Sequence, residues 1–161
     1  KVYAFDIQEN ALKNTAARLS AAGLHNAVLI QDSHANCEKY IHEPLDGGMF
    51  NLGYLPGNGN KTVHTMREST LPAVKAGHGH HEVTTKREST LAAVKAAIEM
   101  LDSDGVLLVA VYPGHEEGTL EGEMLTEHLA VYDKKFYCVT LLRLINSPDA
   151  PFIIAVEKYD K

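Results

Sequence analysis

The sequence predicts an α/β protein with a Rossmann-like, doubly wound, mostly parallel sheet that ends in an antiparallel hairpin, and three observations predict it. Two short apolar runs, Val2-Tyr3-Ala4-Phe5 and Val28-Leu29-Ile30, are each followed by a carboxylate, Asp6 and Asp32, with an amphipathic helix pattern between them. The run Val106-Leu107-Leu108-Val109-Ala110-Val111 is continuous and apolar, as a strand covered on both faces should be. The last two strand patterns, Phe136 to Ile145 and Phe152 to Glu157, are joined by Asn146 to Pro151, a connection too short for a crossover helix, so they should pair antiparallel.

Between the first two strands, Leu12, Ala16 and Leu19 share one helical face, and Gly23 stands where a left-handed helix cap belongs. Gly48 to Tyr54 reads as a third strand running into the Pro/Gly-punctuated loop Leu55 to Asn60. Helical character returns at Leu120 to Leu129. The middle of the chain holds an internal repeat: Val63 to Ala76 and Val83 to Ala96 share Arg-Glu-Ser-Thr-Leu and Ala-Val-Lys-Ala. Each copy offers a capping box, Thr65 with Glu68 and Thr85 with Glu88. Pro72 disfavours a long helix in the first copy, whereas the second carries Ala92 and continues through Val94, Ile98 and Leu101 on one face. The second copy is therefore read as the packed helix, and residues 63–82 as a repeated insertion in a single domain spanning 1–161.

Composition narrows the function classes. With 161 residues, 45% of them hydrophobic, the chain supports one core. A formal charge of −6 argues against broad attachment to nucleic acid or anionic lipid, although Lys134, Lys135 and Arg143 form a local basic patch suited to phosphates. Cys37 and Cys138 lack metal-type spacing and read as free thiols. No signal-type apolar region and no run of about 20 apolar residues is present, so a cytoplasmic protein without membrane contact is expected. His78, His80 and His81 lack the further ligands of a closed zinc site, so no metal is assigned.

The strings Asn51-Leu52-Gly53-Tyr54-Leu55-Pro56-Gly57 and Tyr112-Pro113-Gly114-His115, with Gly118 and Glu121 behind the latter, the Thr85 to Leu101 helix and the ending Asn146 to Lys158 together resemble the YtqB-like family of putative rRNA methylases, class I S-adenosylmethionine-dependent methyltransferases. The resemblance covers nearly the whole chain outside the repeated insertion. It implies S-adenosylmethionine as cofactor and methyl transfer to a nitrogen of an RNA base, an aminomethyl group on a tRNA wobble thiouridine. Members of that family also carry a central strand, a glycine-bearing cofactor loop and a first helix that have no counterpart here before Lys1. Two sheet edges would then be unpaired and open to a homo-oligomeric contact. The competing reading is a catalytically inactive Rossmann-like module for binding or oligomerisation.

The candidate site follows. Asp6, with the adjoining Ile7, stands at the first strand end, where a carboxylate can accept both hydroxyls of a ribose. The plain alternative is a strand-end Asp that caps the next helix. At the next strand end the resemblance places Asp32 against an adenine amino group with Ser33 beside it; a turn-forming Asp is the plain alternative. Asn51, Tyr54 and Pro56 resemble the Asn-Pro-Pro-Tyr string of amine methyltransferases, in which the amide accepts from the target nitrogen and the ring stacks on the base. An ordinary strand end fits these residues as well. His115 could take a proton from an ammonium substrate or serve as a turn residue beside Pro113-Gly114. Tyr112 and Tyr132 read as packing residues. The predicted partner is tRNA or another RNA.

Overall fold

Residues 1–51, 79–114 and 116–159 are described by a computed structural model of the chain, with backbone alone for 79–86. They form two compact units, one within residues 1–42 and the other built from 43–51 and 79–159.

In the first unit, β1 (Val2–Phe5) and β2 (Ala27–Ile30) pair in parallel from Val2↔Ala27 to Phe5↔Ile30, with α1 (Glu9–Ala21) as the crossover. This is the βαβ unit expected from the two apolar runs. Helix α1 stops where Gly23 takes φ +67°, a conformation that costs glycine little. The amide of Leu24 donates to Leu19 O at 2.9 Å and that of Gly23 to Ser20 O at 3.0 Å, the paired bonds of a Schellman cap. After β2 a short 3-10 helix, His34–Lys39, is capped by Ser33, whose hydroxyl oxygen accepts from the Ala35 amide at 3.2 Å.

The second unit is a four-stranded sheet in the order β3-β4-β6-β5, made of β3 (Leu45–Asn51), β4 (Leu101–Val111), β5 (Tyr137–Leu142) and β6 (Phe152–Lys158). Strands β3 and β4 are parallel, and β6 runs antiparallel to both β4 and β5. The terminal hairpin is therefore as expected. Helices α2 (Gly79–Met100) and α3 (Glu116–Ala130) contribute Val94, Ile98, Leu125 and Leu129 to a core with Leu107, Val109 and Val111 of β4 and Phe152, Ile154 and Val156 of β6. Alternate residues of β4 thus face the helices. Leu108 and Ala110, between them, are only half-buried, so the strand is less evenly covered than its continuous apolar run suggests.

Several boundaries differ from the sequence reading for identifiable reasons. Strand β4 begins at Leu101, because Leu45 pairs with Leu101 before the register jumps to Gly47↔Val106, and the surplus residues fold into an irregularity in which Asp104 has φ 62°. Helix α2 begins at Gly79, so Thr85 and Glu88 lie inside it and do not form a capping box at its start. The last strand pair is shorter than the apolar pattern: β5 stops at Leu142, and the exposed Leu144 and Ile145 belong to the connection. Pro72 and the first repeat copy lie outside the described residues. The Lys158 ammonium donates to Glu99 O at 3.1 Å and to Leu101 O, placing a cation on the carbonyl end of α2.

Candidate cofactor and substrate site

In each unit, described by itself, residues singled out in the sequence stand at the carboxyl ends of parallel strands, where open α/β sheets bind ligands. In the first unit Asp6 follows β1 directly, and its amide donates to Ile30 O at 3.1 Å, which extends the parallel ladder by one bond. Its Oδ1 accepts from the Gln8 amide at 2.8 Å. The bond closes a turn ahead of α1, whose N-cap is Gln8 with no side-chain cap, so Asp6 does not cap the helix. That bond engages one oxygen of a group that offers about four acceptor positions, so a ribose diol still fits the donor set. Ile7, half-buried, follows it in the same turn.

Asp32 is more fully committed. Its Oδ1 accepts from the Ser33 amide at 2.7 Å and from Asn36 Nδ2 at 2.8 Å, while Oδ2 accepts from the Tyr40 hydroxyl at 2.8 Å. The Asn36 bond first, and then that of Tyr40, hold the carboxyl below its usual range. Tyr40 also packs its ring edge-on against Phe5, with centroids 5.7 Å apart, which ties the 3-10 helix back to the end of β1. Three of about four acceptor positions are filled from within the chain, leaving room for a single contact such as an adenine amino group. Ser33 is buried and its hydroxyl oxygen caps the 3-10 helix, a structural role.

In the second unit Asn51 is the last residue of β3 and lies opposite Ala110 of β4. Two residues beyond Ala110, the Tyr112 hydroxyl donates to Asn51 Oδ1 at 2.8 Å. The bond fixes the amide and uses one of two lone pairs on its oxygen. Tyr112 is therefore more than the packing residue read from sequence. The next strand end along the sheet is Phe152, in register with Val111, and the Arg143 guanidinium lies over its ring at 4.4 Å. Tyr54, Pro56 and His115 lie outside the described residues.

Sequence reasoning gave no site role to three residues that hydrogen-bond Asp32 or Asn51. Asn36 lies in the 3-10 helix after Asp32 and Tyr40 just beyond it, so nearness in sequence is the one local hint of their bonds. No comparable local signal marks Tyr112, because its partner is 61 residues away and is brought to it by strand register. Among the described residues no group of three or more His, Cys, Asp or Glu is arranged to hold a metal, and no helix is long and apolar enough to cross a membrane.

Comparison with known proteins identifies the family and the fold. A curated relative, the chloroplastic tRNA (mnm(5)s(2)U34)-methyltransferase of Arabidopsis thaliana, is 29% identical over 98% of this chain and 52% of its own length. The chain thus spans about half of that relative. Among solved structures, a protein of Clostridium thermocellum described as a putative rRNA-methylase is 32% identical with a TM-score of 0.80, covering 98% of this chain and 75% of that one. A Streptococcus mutans protein described as a putative methyltransferase, solved in complex with SAH, is 33% identical with a TM-score of 0.76, covering 98% and 76%. The fold is accordingly that of the class I methyltransferases, with the Rossmann-like character expected from the sequence. A family model matches residues 2–79 and 77–157, two stretches that meet beside the internal repeat, and the chain belongs to the family described as "Putative rRNA methylase".

Proposed function

We propose that this chain acts in S-adenosylmethionine-dependent methyl transfer to a nitrogen of an RNA base, and that the target is an aminomethyl group on a wobble thiouridine of tRNA. The observation that carries this reading is the Asn51 amide at the tip of β3, held by the Tyr112 hydroxyl, in a chain of this family. The curated relative named for mnm(5)s(2)U34 supports the choice of base.

S-adenosylmethionine, when bound, supplies an electrophilic methyl group, and the protein's task is alignment. Asp6 is assigned to the ribose, Ile7 to the apolar edge of the adenosine, and Asp32, with the Ser33 turn, to the adenine amino group. An amine attacks through its lone pair, so an acceptor must hold its hydrogens while that pair faces the methyl carbon. The second lone pair of Asn51 Oδ1 is suited to accept one such N–H. Tyr54 is assigned to stacking on the base, and His115 to receiving the proton that the methylated nitrogen gives up.

The test is transfer of radiolabelled methyl from S-adenosylmethionine to tRNA carrying a wobble 5-aminomethyl-2-thiouridine, run beside calorimetric titration of the cofactor. Saturable binding together with label in the wobble nucleoside is the expected result. Cofactor binding without label in any RNA would remove the substrate. Absence of both would leave the inactive-module reading.

A further inference from the structure

The second unit contains a buried polar cluster that the proposed transfer does not use. Glu121 of α3 is 5% exposed, and Thr90 of α2, which is fully buried, hydrogen-bonds its carboxyl. One turn earlier on each helix stand Arg87 and Glu117, with Arg87 Nε 3.8 Å from Glu117 Oε2. Among the described residues, Arg87 Nε and Glu121 Oε1 are buried without a hydrogen-bond partner. Burial first, and then the nearby Glu117, raise the Glu121 carboxyl to about 7, against the lowering effects of Thr90 and Arg87.

A half-satisfied carboxyl between two helices contributes less to stability than an apolar side chain of the same shape. Its placement suggests another role. Helix α3 follows directly from the turn that carries Tyr112. Thr119, two residues before Glu121, donates its hydroxyl to Pro113 O in that turn at 2.9 Å. Gly122, the next residue, lies so close to the β4 end that a Cβ there would stand 2.9 Å from Val111 Cγ1 and 2.8 Å from Phe152 Cζ. The second turn of α3 is thus fastened to the residues on both sides of Tyr112, and Glu121 fastens the same turn to α2.

We infer that Glu121 is a positioning residue for the transfer proposed above: anchored by Thr90 and flanked by Arg87, it sets the α3 turn that aims Tyr112 at Asn51. Its catalytic meaning rests on that reading of the site, whereas the coupling from Glu121 to Tyr112 can be measured without turnover. Ionised Glu121 competes with Glu117 for the Arg87 guanidinium, and protonated Glu121 releases it. The groups acting on the carboxyl are Thr90 and Arg87 from α2 and Glu117 from α3.

The experiment is 13C NMR of ring-labelled tyrosine in the full chain from pH 5.5 to 8.5, with Tyr112→Phe identifying the Tyr112 signal. The expected result is a Tyr112 signal that titrates with a midpoint near the Glu121 value of about 7 and is static in Glu121→Gln. In parallel, Glu121→Gln should keep cofactor affinity within about twofold and lower kcat by about tenfold, the scale on which small misplacements act. A Tyr112 signal indifferent to Glu121→Gln, or equal losses of affinity and kcat, would overturn the inference. If Glu121→Gln does not fold, Thr90→Val and Arg87→Gln must displace the Tyr112 midpoint for the inference to stand. A wild-type chain that transfers no methyl yet shows the coupled titration refutes the proposed function and leaves the coupling intact.

Discussion

At the scale of single residues, the two strand-end carboxylates differ in what they have left to offer. Asp6 has one oxygen in a local turn, whereas Asp32 is bound by three donors. If Asp6 holds a ribose, Asp6→Ala should weaken S-adenosylmethionine binding by about 1.5–3 kcal/mol, the range for a charge-assisted hydrogen bond, and an unchanged calorimetric affinity would take Asp6 out of the site. The second unit makes a different forecast. Asn51→Ala should reduce turnover by about 10²-fold with cofactor affinity nearly intact, because the amide is assigned to the amine and not to the adenosine. Tyr112→Phe should give a smaller loss of the same kind, since it removes only the donor that orients Asn51. Steady-state kinetics with calorimetry on the same preparations would decide, and a parallel loss of affinity would make Asn51 structural. The strand-end positions of Asp6 and Asp32 were legible in the sequence because a carboxylate after an apolar run stands out, whereas Asn51 was read inside a strand over 48–54 and drew its proposed role from the family resemblance. The Asn36 and Tyr40 bonds and the Tyr112 contact were not legible, because hydrogen-bond partners depend on backbone turns and register that composition does not encode.

At the scale of elements, local rules worked where local interactions decide. Helix α1 ends at Gly23 with both Schellman bonds formed, and the last two strands pair as their short connection requires. Replacing Gly23 by Ala forces a Cβ into the left-handed region, where glycine is favoured by roughly 1 kcal/mol, and no neighbour lies within 4 Å to add a steric clash. Chemical denaturation should therefore show a loss of about 1 kcal/mol with an unchanged denaturant slope. A loss several times larger would mean that the cap contributes to packing as well as to backbone conformation. Local rules failed where a longer element runs through the local pattern. The Thr85–Glu88 pattern has the form of a helix start, yet the helical backbone runs through it from Gly79. Likewise Asp102 to Gly105 looks like a loop, but Leu101 pairs with Leu45 ahead of it, and β4 absorbs the surplus as a bulge.

At the scale of the whole molecule, each unit holds a perturbed carboxyl, and the two respond to pH in opposite senses. The Asn36 and Tyr40 bonds hold the Asp32 carboxyl below its ordinary value, so its contribution is present above the unfolded pKa and lost only as pH falls through the lower folded value. Glu121 is raised from 4.5 to about 7, so its folded form favours the proton. The sign is therefore reversed: relative to a neutral side chain there is no penalty below about pH 4.5, a growing one between about 4.5 and 7, and a full one above. A shift of this size is worth at most about 3 kcal/mol by linkage. Urea unfolding of the second unit should show declining stability from pH 5 to 8 in the wild type and a flatter profile in Glu121→Gln, with the variant the more stable at pH 8. The sequence contains no tryptophan, so far-ultraviolet circular dichroism is the suitable probe. Equal slopes in the two proteins would show that Glu121 is ionised in the folded state throughout, with Arg87 turned toward it from Glu117. The cost of keeping a carboxyl at this position would then lie in packing and not in its proton.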